Sequence, residues 1–175
     1  MTTDIRNFHT DLKIGELAEQ ELKRILLKNR FTTSVDKVDH ISNGYDLHLK
    51  YCIGEHIEEL RIEVKTLKGC VQTGVIEQWA DNARTKRPHW MNMGDTDRIY
   101  FQNRKENMWY AYNAKEVAEW IKAQPESTIR ANNDCKDDSG WLLMFYWDSS
   151  KYSSHNYNKK FDMPGFIKKF KGECK

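Results

Sequence analysis

An α/β fold, a mixed central sheet flanked by helices, is what the sequence predicts, and three patterns predict it. Apolar residues recur at helical spacing through Ile14, Leu17, Ala18, Leu22, Ile25 and Leu26. Apolar and polar residues alternate through residues 45–50 and again through 60–65, with a glycine between the two runs. Apolar stretches at 97–101 and 108–112 then lead into a second helical pattern at 114–123. A period near 3.6 marks a helix with one buried face, and a period of 2 marks a half-buried strand.

The first helix is expected over about 14–29, ending near Asn29-Arg30. At about 100° per residue, Glu16 points away from its apolar stripe, Glu19 borders the stripe beside Leu26, and Glu21 falls inside its edge. Glu19 and Glu21 can therefore both look toward a neighbouring sheet. As ordinary helix acids they would instead favour the macrodipole.

In the next two segments Leu47, Leu49, Leu60, Ile62 and Val64 face one way, and Asp46, His48, Lys50, Arg61, Glu63 and Lys65 the other. Gly54-Glu55 lies midway, and glycine at the first central position suits a two-residue type II′ hairpin. That register pairs Leu47 with Ile62, Leu49 with Leu60, His48 with Arg61, Lys50 with Glu59, and Asp46 with Glu63. Two of the polar pairs read as attractive. The third sets two carboxylates about 5 Å apart at Cβ, which destabilises a sheet unless a cation lies between them. Mg²⁺ takes hard oxygen ligands at about 2.1 Å and keeps several waters, so Asp46, Glu63 and a main-chain carbonyl, that of Val64, make a partial shell. Lys65 then lies within reach of a bound phosphate. A solvent-facing hairpin of mixed charge has the same pattern, and a loop two residues longer would separate Asp46 from Glu63.

Residues 75–79 read as either a strand or a short helix, 97–101 and 108–112 as strands, 114–123 as a helix, and 140–145 as a strand opened by Gly140. Glu77 and Gln78 are peripheral site candidates that also fit an exposed strand edge. Phe166, Ile167 and Phe170, after Pro164-Gly165, are spaced for a short docked helix.

At 175 residues the chain can bury a core, and a single domain over 1–175 is expected, with its core at about 10–150 and a tail at 151–175. No apolar run reaches the roughly 18 residues of a membrane helix, and the N-terminus lacks a secretory apolar region, so a cytoplasmic location is expected. Cysteines at 52, 70, 135 and 174 show no CxxC spacing, which speaks against a disulfide framework or a zinc ribbon. The net charge of +2 hides an uneven distribution, because residues 151–175 hold 7 Lys+Arg against 2 Asp+Glu. There Lys159, Lys160, Lys168 and Lys169 interleave with Tyr157, Phe161, Phe166 and Phe170, a composition suited to phosphate contacts and base stacking, or to a tail docked by its aromatics. A second basic cluster, Arg84-Thr85-Lys86-Arg87, falls in a long irregular stretch and could track a nucleic-acid backbone beside an active edge.

Gly15-x-x-x-Glu19, the helix end Lys28-Asn29-Arg30-Phe31, Gly44-Tyr45-Asp46 and Ile62-Glu63-Val64-Lys65-Thr66 together resemble the PD-(D/E)xK nuclease superfamily. Within it the pattern is nearest to archaeal Holliday-junction resolvases and small phage-encoded nucleases. The resemblance covers about residues 10–80, and Tyr45 stands where a proline usually precedes the aspartate. It implies a restriction-endonuclease-like fold and Mg²⁺-dependent hydrolysis of phosphodiester bonds in DNA, duplex or branched, with Mn²⁺ as substitute. Asp46 and Glu63 would bind the metal, Lys65 would position or activate the attacking water, and Glu19 would be the accessory acid, holding a second metal or an outer-shell water. Dimerisation stays open, and two symmetric cuts in a junction would require it. The competing reading is a nuclease-fold module that binds nucleic acid or protein without catalysis.

Overall fold

The computed structural model describes residues 3–39, 44–67, 73–77, 95–104, 106–122, 129–131, 141–146 and 165–173. They form helix α1 (Thr3–Leu27), strands β1 (Thr32–Lys37), β2 (Leu47–Ile53), β3 (His56–Leu67), β4 (Thr73–Glu77), β5 (Arg98–Asn103) and β6 (Met108–Asn113), helix α2 (Ala114–Lys122), and strands β7 (Ile129–Ala131), β8 (Trp141–Tyr146) and β9 (Phe166–Lys171). A six-stranded sheet has the order β1-β2-β3-β5-β6-β9, and a three-stranded sheet the order β4-β8-β7. Every pairing is antiparallel except β3 with β5. Parallel neighbours need a crossover connection, and the chain between β3 and β5 is where β4 leaves for the second sheet.

Helix α1 starts well before the expected residue 14. Ahead of Ile14 the sequence holds Ile5, Phe8 and Leu12 at helical spacing, and extending a helix that already exists costs far less than nucleating one. Its stripe lies where expected: Ala18, Leu22 and Leu26 are buried against Val35, Leu47, Leu49, Ile62, Tyr100, Trp109 and Ala111. At its end the Asn29 side chain accepts the Phe31 N–H at 3.0 Å, and the chain turns into β1. Strand β1 was not anticipated, although the β-branched Thr32, Thr33 and Val35 are its local signal.

The β2–β3 hairpin has the expected register, with Leu47 on Ile62, His48 on Arg61, Leu49 on Leu60 and Lys50 on Glu59. Gly54 has φ 63°, and Glu55 is not at positive φ, as the first and second positions of a type II′ turn require. Of the expected polar pairs, Lys50 with Glu59 also makes its side-chain contact, whereas His48 and Arg61 each take another partner. His48 Nε2 and Lys50 Nζ both reach Glu59, at 3.0 and 3.1 Å. Arg61 turns instead to Asp97 at the foot of β5, whose Oδ2 accepts from the Arg61 backbone N–H (2.8 Å) and Nε (3.0 Å) while Oδ1 accepts from Nη2 (3.2 Å). A guanidinium gains little from an imidazole beside it, and each of the two side chains turns to an acid instead.

Burial tends to raise the Asp97 carboxyl, but the side-chain and backbone hydrogen bonds from Arg61 outweigh it and hold the group below its ordinary range. A lowered folded pKa means the contribution is complete above the ordinary aspartate value and is lost as pH falls through the folded one. Asp97→Asn is expected to destabilise the protein by about 1 kcal/mol at neutral pH, at the low end for bonds to a charged group because the site is partly exposed. The difference from wild type should shrink below about pH 4, as read by urea melts across pH.

Residues 75–77 are strand, within β4, and 114–122 are the expected second helix. Asn113 caps α2, its Oδ1 accepting the Lys115 and Glu116 N–H groups at 3.1 and 3.3 Å. By strand alternation Ile99, Phe101 and Tyr112 point away from α1, on the face where Ala114, Val117 and Ala118 of α2 are buried.

The expected C-terminal helix is instead strand β9, antiparallel to β6. Residues four apart share a face in a strand as well as in a helix, so Phe166 and Phe170 did not separate the two. A register irregularity opposite Ala111 and Tyr112 then sends the two aromatics to opposite faces. Phe170 stacks on Trp109 with 12° between planes, while Phe166 meets Tyr112 edge-on. Lys168, Lys169 and Lys171 stay exposed and guard the sheet edge. Removing residues after Asn158 would therefore strip an edge strand from β6 as well as charge. A truncated chain is expected to lose several kcal/mol in a denaturant melt, on the scale of uncovering buried aromatics. A melt unchanged within about 0.5 kcal/mol would show that β9 is dispensable.

No helix among the described residues is long and apolar enough to cross a membrane.

Candidate functional site

Asp46 enters the sheet just ahead of β2. Its N–H donates to Ile62 O and its carbonyl accepts from Val38 N–H, both at 2.9 Å, which continues the ladder between β1 and β3. The segment before it is held by Thr96, whose hydroxyl donates to Gly44 O at 3.2 Å in a buried contact. Gly44 itself has φ 72°, a left-handed conformation that glycine adopts without strain. This latch between the approaches to β2 and β5 had no local signal, because its residues are 52 apart in sequence.

The Asp46 carboxylate does not simply stand off the polar face. Its Oδ2 accepts the Val64 backbone N–H at 2.7 Å, so it is anchored along β3 between Glu63 and Lys65. A residue in an extended strand sends its N–H and C=O to the same side, so the Val64 carbonyl also points to the Asp46 edge. Glu63 is 1% exposed, and Lys65 Nζ lies 2.9 Å from its Oε1. A carboxylate that enclosed is costly unless its charge is compensated, and Lys65 supplies part of that compensation.

Glu19 and Glu21 have separate surroundings. Glu21 is 7% exposed and accepts three hydrogen bonds, from Gln102 Nε2 (2.8 Å), Trp109 Nε1 (3.3 Å) and the Glu173 N–H (3.0 Å). It ties α1 to β5, β6 and the chain after β9. Glu19 faces Lys37, with Nζ 2.9 Å from its Oε2. Burial pushes the Glu19 carboxyl up, against the Lys37 bond and with the Asp46 charge adding to the rise. The Lys37 ammonium is held above its usual range chiefly by that same bond. The carboxyl is the more enclosed partner, so desolvation governs its shift while the attraction governs that of the lysine.

Two carboxylates and a strand carbonyl are hard oxygen donors of the kind Mg²⁺ takes, with waters completing its shell. Among the described residues no three Asp, Glu, His or Cys side chains gather into one metal-holding group, so the donor set rests on Asp46, Glu63 and the Val64 carbonyl. By donor type, Asp46, Glu63 and the Val64 carbonyl suit a hard cation rather than a soft one.

Of the other sequence candidates, Glu77 ends β4 in the second sheet, and Gln78 lies outside the described residues. Lys168 and Lys169 lie on β9, with Lys168 Nζ 5.4 Å from the Phe170 ring centre. Arg84, Lys86, Arg87, Lys159 and Lys160 lie outside the described residues. Lys37 was not anticipated as part of this region, although period-2 spacing from Val35 would have placed it on the face toward α1.

No protein-family model matches the chain, and none of the curated proteins does. Among solved structures it is similar to a bacterial homing endonuclease, I-Ssp6803I, at 14% identity over 81% of this chain and 82% of that one, with a TM-score of 0.47. It is also similar to D212, a nuclease from a fusselovirus, at 12% identity over 82% of this chain and 85% of that one, with a TM-score of 0.36.

Proposed function

We propose that this chain is a metal-dependent endonuclease of the PD-(D/E)xK type, on a restriction-endonuclease-like core, hydrolysing phosphodiester bonds in DNA. One observation carries the reading: Glu63, nearly sealed from solvent, contacts Lys65 on its own strand, while Asp46 from the neighbouring segment is anchored on the residue between them. The spacing Asp46…Glu63-Val64-Lys65 supports the superfamily. Asp46, Glu63 and the Val64 carbonyl would hold Mg²⁺, or Mn²⁺ as substitute. The bound ion would supply Lewis-acid polarisation of the phosphate and a more acidic water. Lys65 orients that water or stabilises charge developing on the phosphoryl oxygens. Glu19 is the accessory acid of the helix, whereas Glu21 serves the fold.

Lys168 and Lys169, with Arg84, Lys86, Arg87, Lys159 and Lys160, would contact backbone phosphates without reading sequence. The test is cleavage of plasmid and of branched, single-stranded and duplex DNA with Mg²⁺ and with EDTA. Cutting of at least one substrate that EDTA stops supports the reading, and no cutting of any with Mg²⁺ or Mn²⁺ sinks it. The second reading, a nuclease-fold module that binds without cutting, is favoured by the Lys65 ammonium, which already lies 2.9 Å from Glu63 Oε1 and compensates that carboxylate without an ion. It predicts DNA or protein binding unaffected by EDTA.

A further inference from the structure

Two chain segments must converge to bring Asp46 to Glu63, and residues 95–97 touch both. Asp97 N–H donates to Arg61 O at 2.9 Å, and the Asp97 carboxylate grips the side chain of Arg61, which lies two residues ahead of Glu63 on β3. Thr96, buried between its acidic neighbours, donates its hydroxyl to the carbonyl of Gly44, two residues ahead of Asp46. The foot of β5 thus holds the strand of one acid and the approach to the other.

Asp46 N–H donates to Ile62 O. Two residues farther along each chain, a continued antiparallel ladder would send Val64 N–H to Gly44 O. That N–H goes instead to Asp46 Oδ2 at 2.7 Å, and the chain turns off the ladder at Gly44, with φ 72°. Gly44 O and the Asp46 carboxylate are therefore rivals for one donor. A buried carbonyl without a donor is costly, and the Thr96 hydroxyl removes the rivalry by giving Gly44 O a donor of its own.

We propose that Thr96 is a positioning residue for Asp46: by satisfying Gly44 O it holds the chain off the ladder and reserves Val64 N–H for the Asp46 carboxylate. The inference rests on the nuclease reading only for what that carboxylate then binds. Held by a short charge-assisted bond, the carboxylate is fixed on the residue between Glu63 and Lys65 before any ion arrives. Losing a partner that orients a metal ligand typically costs about 10- to 100-fold in metal affinity.

Calorimetric titration of the full chain with Mn²⁺, in the absence of nucleic acid, tests this together with the amide proton shift of Val64 recorded in EDTA. Thr96→Val keeps the shape of the side chain without its donor, and Thr96→Ser keeps the donor without the methyl group. In Thr96→Val the Mn²⁺ affinity is expected to fall about 10- to 100-fold, and the Val64 proton, held downfield by its bond to a carboxylate, to move upfield. Thr96→Ser is expected to keep both wild-type values. Melts in EDTA check that the variants fold, and Thr96→Ala is read in the same way should the valine variant not fold. An unmoved Val64 proton or an unchanged Mn²⁺ affinity in Thr96→Val overturns the role of Thr96 and leaves the nuclease reading standing, as does an equal loss in Thr96→Ser. If wild type takes no Mn²⁺, the metal centre falls, and the Val64 proton decides for Thr96 by itself: moved in Thr96→Val it upholds the reserved amide, unmoved it overturns that too.

Discussion

Asp46→Asn is expected to lower Mg²⁺-dependent DNA cleavage by about 100- to 1000-fold, the range seen when one preorganised electrostatic contact to a reacting centre is removed. The fold should hardly notice. An asparagine oxygen can still accept the Val64 N–H that Asp46 Oδ2 holds at 2.7 Å. Losing a negative charge near Glu63 relieves repulsion worth about 0.5 kcal/mol on the scale of cross-strand pairs. Melts in EDTA should therefore show an unchanged or slightly raised stability. Lys65→Ala separates the roles further. It should lose cleavage to a similar degree while retaining Mn²⁺ binding in calorimetry, because lysine serves water or phosphate rather than the ion. Without metal it should also be less stable, by about 1–3 kcal/mol, since Glu63 is 1% exposed and loses the ammonium 2.9 Å away. Added Mn²⁺ should restore much of that loss by binding the folded state. If both variants cut at the parental rate, Asp46, Glu63 and Lys65 are structural charges, and the binding-module reading replaces the enzyme.

Glu21→Ala is expected to destabilise the protein by about 3–5 kcal/mol. The carboxylate accepts from Gln102, Trp109 and the Glu173 N–H, and its removal leaves these donors without an acceptor in a buried place. Gly172 adds to the constraint, because a Cβ there would lie 2.6 Å from Glu21 Oε1, so the chain after β9 already approaches as closely as it can. Glu21→Gln keeps the shape and one acceptor oxygen, and about 1–2 kcal/mol of loss is expected in a urea melt. Below its melting temperature the glutamine variant should cut at the wild-type rate, whereas Glu19→Gln should alter cleavage with little change in stability. The opposite assignment, with Glu21→Gln inactive but stable, would make Glu21 the accessory acid.

The contrast between these two glutamates shows how far the sequence reaches. The β2–β3 hairpin was legible because everything that sets it is local: a glycine able to take positive φ at the turn, and alternation that a one-residue slip would invert. The relation of Asp46, Glu63 and Lys65 to one another follows from that register. The face of α1 was legible for the same reason, since helical spacing alone places Ala18, Leu22 and Leu26 in the core. Spacing also put Glu19 and Glu21 near the sheet, but it could not divide their work. Their partners are Lys37 for one and residues 102, 109 and 173 for the other, and only the packing of α1 across strands distant in sequence brings these within reach. Tertiary structure likewise sent Arg61 to Asp97 rather than leaving it opposite His48, because an acid 36 residues away offered two oxygens. It also made 166–171 a strand. Phenylalanines four apart satisfy both periods, and the unpaired backbone of β6, which a sequence pattern does not contain, decided between them.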